Sequence, residues 1–379
     1  MKLVSEDNLK QIDTHLAKVL DRLLAADGLS AMNSVIRAYV LAGGKRVRPQ
    51  LALWTWLQCE ASTPGIETPP SPSGFSFTVA DRPLTDQPLP TPPGPNPQSL
   101  LDAACAWELF HAFLLAHDDI IDSAETRREQ AALHRQLSSL DHDSPKFGSD
   151  LAIVAGDLMF SAAMRLLHEL DVQPGPYRSL LQLFSRVATI TGFGQAIDIC
   201  QSQVPIEDVC EETLLREYHW KTAAYTFEGP MLTGAILAGA DLPTQLAISS
   251  FALALGQAYQ MQNDLIDLSA EAHEGCDLVQ GKRTITLITA RSQLAPARRA
   301  EFDRKLDALR TANGHSLQLA DEIRRELLDN GAARRTAERI DRFLTSARSA
   351  AMDSAIPQPL GGAMQQLLHS LQRQYFVAV

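Results

Sequence analysis

Residues 117–128 read HDDIIDSAETRR, placing three aspartates and two adjacent arginines in one short stretch. It follows an apolar run, residues 103–116 (AACAWELFHAFLLA). On a helix, Asp118 and Asp122 share a face about one turn apart, with Asp119 beside them. Like charges this close repel, and a hard divalent cation offsets that cost. Mg²⁺ takes oxygen ligands, usually one or two carboxylates plus substrate phosphates. The guanidinium forks of Arg127 and Arg128 suit phosphate oxygens. Alone, the stretch fits two readings: a metal–diphosphate site, or a solvated helix end with surface ion pairs.

A second cluster repeats the pattern. Asn263, Asp264 and Asp267 have the same i, i+1, i+4 spacing, 145 residues further on, again at the end of a long apolar segment. Facing helices of a bundle can build metal sites from inward carboxylates, so two such clusters could hold more than one Mg²⁺ around a single diphosphate. Between two predicted helices lies Gly43-Gly44-Lys45-Arg46-Val47-Arg48-Pro49. Cations and free backbone N–H groups at a helix start favour an anion; the alternative is a basic surface turn. Lys221, within an otherwise apolar predicted helix, needs an anionic partner.

The elements that must position these groups are helices. Apolar periodicity predicts them over 8–26, 30–41, from Pro49 onward, and over Leu151–Leu170, Ser179–Ile199, Thr213–Gly239, Pro243–Leu268 and Thr284–Gln293. Shorter amphipathic helices are predicted at 297–312, 317–329, 332–349 and 359–375. Strand signals are nearly absent and no fixed-period repeat occurs, so the fold class is all-α. Residues 60–98 hold eleven of the 21 prolines and read as a flexible insertion. The apolar pattern resumes at Leu100, so residues 1–379 are read as a single domain with a Pro-rich insertion at about 60–98.

The 379 residues are 45% hydrophobic and 21% charged, an ordinary globular composition. A net charge of −11 argues against a nucleic-acid partner, yet local cations can still serve an anionic substrate. No uncharged apolar stretch of membrane-spanning length is evident. The start, MKLVSEDNLKQID, lacks signal-peptide order. Five scattered cysteines without a CxxC pair read as reduced thiols of a cytoplasmic protein.

Several motifs occur together and in order: GGKRVRP (43–49), HDDIID…RR (117–128), GDLMFSAA (156–163), GQAID (194–198), KTAAYTFEGPMLTGAILAGA (221–240), YQMQNDLID (259–267) and DLVQGKRT (277–284). In this the chain resembles the trans-isoprenyl diphosphate synthases. The resemblance implies an isoprenoid-synthase-type helical bundle around a deep central cavity, working as a homodimer with Mg²⁺, up to three ions. It implies condensation of isopentenyl diphosphate with an allylic diphosphate. Asp118, Asp119 and Asp122 match the first aspartate-rich motif, and Asn263, Asp264 and Asp267 the second, as metal ligands. Lys45, Arg48, His111 and Arg128 match the isopentenyl diphosphate site. Arg127 and Lys221 match groups on the allylic diphosphate, Thr222 and Gln260 line the reaction region, and Lys282 matches the lysine after the second motif.

Two positions depart from the family pattern. Asn263 stands where the second motif usually begins with Asp, and no lysine lies between Asp267 and Asp277, where only His273 is near in sequence. Both fall on the allylic side. Phe113, five residues before Asp118, with the non-aromatic Leu114 four before, resembles the geranylgeranyl (C20) type; farnesyl (C15) synthesis is the alternative. A class I terpene cyclase shares the fold but needs no isopentenyl site, and a non-catalytic subunit generally lacks the first aspartate-rich motif.

Overall fold

The computed structural model describes residues 3–24, 28–60, 97–127, 130–269, 276–311 and 317–374. The body of the Pro-rich insertion, Arg128 and the segment 270–275 with His273 lie outside the described residues. The expected all-α class holds. The helices are α1 (Glu6–Leu23), α2 (Ser30–Leu41), α3 (Val47–Glu60), α4 (Pro97–Ile121), α5 (Leu133–Ser138), α6 (Pro145–His168), α7 (Pro174–Ser202), α8 (Glu211–Glu217), α9 (Gly229–Leu237) and α10 (Leu242–Ser269). They continue as α11 (Ile285–Gln293), α12 (Pro296–Thr311), α13 (Leu317–Asp329), α14 (Ala332–Ala351) and α15 (Gln358–Gln374).

Three local features differ from the sequence reading. Helix α3 begins at Val47, not Pro49; the proline sits in the first turn, where no intrahelical N–H is needed. The segment expected as one helix over Thr213–Gly239 is α8, a π-helical stretch Tyr218–Glu228, then α9. Pro230, which cannot donate an N–H, stands just past that junction. A two-residue hairpin, β1 (Thr126–Arg127) with β2 (Gln130–Ala131), pairs antiparallel. It is too short to show a period-2 pattern.

The chain contacts form two compact units, Met1–Leu183 with Pro230–Gln245, and Phe184–Gly229 with Leu246–Val379. In the first, α4 is the core helix. It is apolar nearly all round, as a buried helix must be; Ala104, Trp107, Leu109 and Phe110 are buried, and it packs against α1, α3 and α6. Trp107 Nε1 donates to Thr233 Oγ1 at 2.9 Å. Gly234 lets α9 meet α3, since a Cβ there would come within 2.2 Å of the Ala52 carbonyl. By length and composition α4 and α6 could each cross a membrane; the most apolar window of α4 is 72% buried inside the protein and that of α6 is 44% buried.

The GGKR turn owes its shape to three left-handed residues, Gly43 (φ 68°), Gly44 (φ 129°) and Arg46 (φ 44°). Arg46 is the costly one, because it carries a Cβ. Its buried guanidinium meets Glu108 at 2.9 Å and Asp13 at 2.7 Å, and donates to the Val40 carbonyl. One of the three cations in this motif is therefore part of the core.

In the second unit the π-helical stretch is approached closely on two sides. A Cβ on Gly194 of α7 would lie 2.4 Å from the Lys221 nitrogen, and one on Gly256 of α10 would lie 2.4 Å from the Ala223 Cβ. Helix α11 packs on α14, α14 on α15, and α12 on α13. The five cysteines are unpaired.

Removing one partner of a buried ion pair strands the other. Arg46→Met should therefore cost about 3–5 kcal/mol in denaturant unfolding. The double variant Arg46→Met with Glu108→Met should recover most of that loss, and a double variant as unstable as the single one contradicts this account.

Candidate active site

In the first unit, Asp118 and Asp119 lie in the last turn of α4, and Asp122 immediately follows it. A Schellman closure ends the helix: Ser123 is left-handed (φ 52°), its N–H donates to Ile120 O, and the Ala124 N–H donates to Asp119 O. The Asp122 N–H still donates to Asp118 O at 2.8 Å, so the expected one-face pairing of Asp118 and Asp122 is present. Their environments differ. Asp119 is fully buried, whereas the Asp118 side chain is 22% exposed. The β1–β2 hairpin returns Arg127 to Asp119, where its Nε donates at 2.7 Å; its Nη2 is 3.9 Å from Asp118. Burial raises the Asp119 carboxyl from its ordinary range, and Arg127 opposes that shift.

His111 and Arg127 share a cleft of about 420 Å³ with Tyr39, Gln130 and Gln136. Arg46 and Glu108 lie at its edge. Lys45 is exposed and Arg48 is buried; neither lines this cleft. Arg128 lies outside the described residues. The Phe113 ring stands 5.7 Å from Phe110, 5.3 Å from Phe160 and 4.7 Å from the His117 ring. The residue whose position resembles the C20 type is thus one of a group of aromatics.

In the second unit, Lys221, Thr222, Gln260, Asp264 and Lys282 come together in one cleft of about 350 Å³. Thr222 Oγ1 donates to Gln260 Oε1 at 2.8 Å, and Gln260 Nε2 donates to Asp264 Oδ1 at 2.9 Å. The Tyr218 hydroxyl donates to Asp264 Oδ2 and accepts the Ile285 N–H at 3.1 Å. The chain fixes the orientation of the Gln260 amide and holds both oxygens of Asp264. Lys221 is held by Asp198, and Lys282 lies 3.4 Å from Asp277. Asp267 accepts the Asp277 N–H at 3.0 Å and lines the adjoining cleft with Asp264. Asn263 is partly exposed and lines neither cleft.

Six residues of this cleft received no role from the sequence reading: Asp198, Glu217, Tyr218, Asp277, Arg283 and Thr284. Asp198 and Asp277 sit inside quoted motifs, a usable signal. Glu217 and Tyr218 carried none; the partner of Tyr218, Asp264, is 46 residues away. Burial, then the nearby Asp198 carboxylate, pushes Glu217 up to about 9. Burial, then Asp277, pushes Asp264 up to about 7. These acids lack enough nearby positive charge, which suits a cation. Among the described residues, no three His, Cys, Asp or Glu side chains converge as a ready-made metal cage. The carboxylate oxygens of Asp264 and Asp267 that border these clefts are hard donors of the type Mg²⁺ takes.

A hydrogen bond to a charged group is worth about 1.5–3 kcal/mol. Tyr218→Phe should thus lower kcat/KM on the order of 10–100-fold while the chain stays folded. Steady-state kinetics alongside thermal melting check this, and unchanged kinetics would remove Tyr218 from the site.

The family profile of polyprenyl synthetases matches residues 30–323. A geranylgeranyl diphosphate synthase of Methanosarcina mazei is 28% identical over 295 residues, 76% of each chain. A geranylfarnesyl diphosphate synthase of Natronomonas pharaonis is 33% identical over 270 residues, 69% of each chain. Among solved structures, geranylgeranyl pyrophosphate synthase from Corynebacterium glutamicum, complexed with isoprenyl diphosphate and magnesium, superposes with a TM-score of 0.79 at 24% identity. The match covers 97% of this chain and 98% of that one. The ordered motifs and the profile covering more than half of the sequence agree: the chain belongs to the polyprenyl synthetase family and is a prenyltransferase.

Proposed function

We propose that the protein condenses isopentenyl diphosphate with an allylic diphosphate to make geranylgeranyl diphosphate, as an Mg²⁺-dependent cytoplasmic homodimer forming one catalytic domain. The observation that carries this reading is the hydrogen-bond chain Thr222–Gln260–Asp264–Tyr218, in the same cleft as Lys221 and Lys282. It presents oriented polar groups beside cations, as a departing diphosphate requires. The homodimer rests on the apolar residues that α6 exposes, Ile153, Val154 and Leu158. The cytoplasmic placement rests on five unpaired thiols.

Asp118, Asp119 and Asp122 would hold metal, as would Asp264 and Asp267 with the Asn263 amide oxygen, for up to three ions. Bound Mg²⁺ supplies positive charge that stabilises the leaving diphosphate. The chain supplies the rest. Arg127 and Lys221 neutralise charge that grows on the allylic diphosphate as its C–O bond ionises. Arg127 is oriented by Asp119 and Lys221 by Asp198. Lys45, Arg48, His111 and Arg128 hold isopentenyl diphosphate, whose alkene forms the new C–C bond to the allylic cation, after which a proton passes to the released diphosphate. Apolar helix walls exclude water that would quench the cation.

The decisive assay supplies Mg²⁺, labelled isopentenyl diphosphate and dimethylallyl, geranyl or farnesyl diphosphate. A C20 chain is expected. A cyclic hydrocarbon without isopentenyl uptake means a cyclase, and inactivity that a partner protein reverses means a non-catalytic subunit.

Two variants probe the departures and the chain length. Asn263→Asp restores a negative charge and should lower the Mg²⁺ concentration needed for half-maximal rate; an unchanged requirement takes Asn263 out of the metal shell. Phe113→Ala should lengthen the products seen by chromatography. If they remain C20, the neighbouring Phe110 and Phe160 rings set the limit without it.

A further inference from the structure

Helices α11, α14 and the start of α8 enclose a further open hollow of about 630 Å³. One wall carries Arg335, Arg339 and Arg342 of α14, at i, i+4 and i+7, which spans about 10 Å of one helix face. The α11 side is uncharged: Thr289, Ser292 and Gln293, with the apolar Ile288. Arg339 makes a two-pronged ion pair with Glu211, both contacts 2.8 Å. Among the described residues, Arg335 and Arg342 have no side-chain ion pair. The other acid of the hollow, Glu338, lies 3.7 Å from Arg334. The hollow gathers three guanidinium groups against two carboxylates, Glu211 and Glu338, in a protein whose net charge is −11.

We propose that this hollow binds a small phosphate-bearing anion, with Arg335 and Arg342 as open forks and Arg339 released to the ligand from Glu211. Guanidinium forks match phosphate oxygens two at a time. Three of them along one wall favour a multiply charged anion over a single carboxylate. Glu211 is the built-in competitor: it holds Arg339 in place and gives it up when a stronger anion enters. The site shares no residue with the cleft of Lys221 and Asp264, and it does not rest on the reaction proposed above.

The test is calorimetric titration of the full chain with inorganic phosphate and with inorganic diphosphate, in the absence of Mg²⁺. Diphosphate should bind the wild type more tightly than phosphate. Arg335→Glu with Arg342→Glu should weaken diphosphate binding about tenfold or more, since two attractions become repulsions. Glu211→Gln should tighten it, because the internal competitor is gone. Arg335→Gln with Arg342→Gln, checked by circular dichroism, provides a milder pair if charge reversal disturbs folding, and should weaken binding in the same direction. Equal binding by wild type and both arginine variants overturns the proposal, as does unchanged or weaker binding by Glu211→Gln. No titratable heat in the wild type at millimolar anion overturns it outright.

Discussion

Negative charge at the carboxyl ends of two long apolar helices is the constraint on which the rest depends. Asp118 and Asp119 end α4, and Asp264 and Asp267 lie in the last turns of α10. A helix C-terminus already carries partial negative charge, a penalty of about 0.3–1 kcal/mol for each acid near it. Burial is the larger cost. Asp119 is fully buried and Asp264 nearly so, and uncompensated buried charge costs several kcal/mol. Both carboxyls respond by holding protons more tightly than an exposed aspartate. The surrounding structure offsets the cost with donors: Arg127 on Asp119, and Tyr218 with Gln260 on Asp264. A divalent cation beside these carboxylates would complete the compensation.

The cations divide into two kinds. Arg46 is consumed by the core, where it holds a left-handed backbone in place through Glu108, Asp13 and the Val40 carbonyl. Arg127, Lys221 and Lys282 are each tethered by an acid yet border open clefts. A tether to an acid fixes a long side chain before a ligand arrives, which lowers the entropic cost of binding. The close approaches at Gly194 and Gly256 serve the same end. They bring the π-helical stretch within backbone contact of its neighbours, so that Lys221 and Thr222 start from a rigid base. π-Helical turns recur at functional sites because the extra residue per turn redirects the side chains that follow.

What was legible in the sequence follows from what is local. Helix periodicity repeats every few residues, so α1, α2, α10 and α14 were readable to within a few residues. The acid clusters were readable because their members lie within one turn of each other. Arg46 shows the limit: beside Lys45 and Arg48 it looks like a third phosphate cation, and only Glu108, 62 residues away, turns it inward. Tyr218 shows the converse. Nothing within its own helix marks it, and its role appears only when Asp264 and the Ile285 N–H are brought to its hydroxyl.

The sequence by itself determined the helical class, the two acidic clusters with their missing charge at Asn263, and the ordered motifs that identify the family. Each is a matter of residue type and short spacing, and folding cannot change them. Tertiary structure alone decided which cations are spent on the core, which acid holds Lys221, how the Gln260 amide points, and that three arginines of α14 face a hollow. Those outcomes depend on burial and on partners distant along the chain, where the cost of an unpaired charge is settled by whichever group the fold brings near.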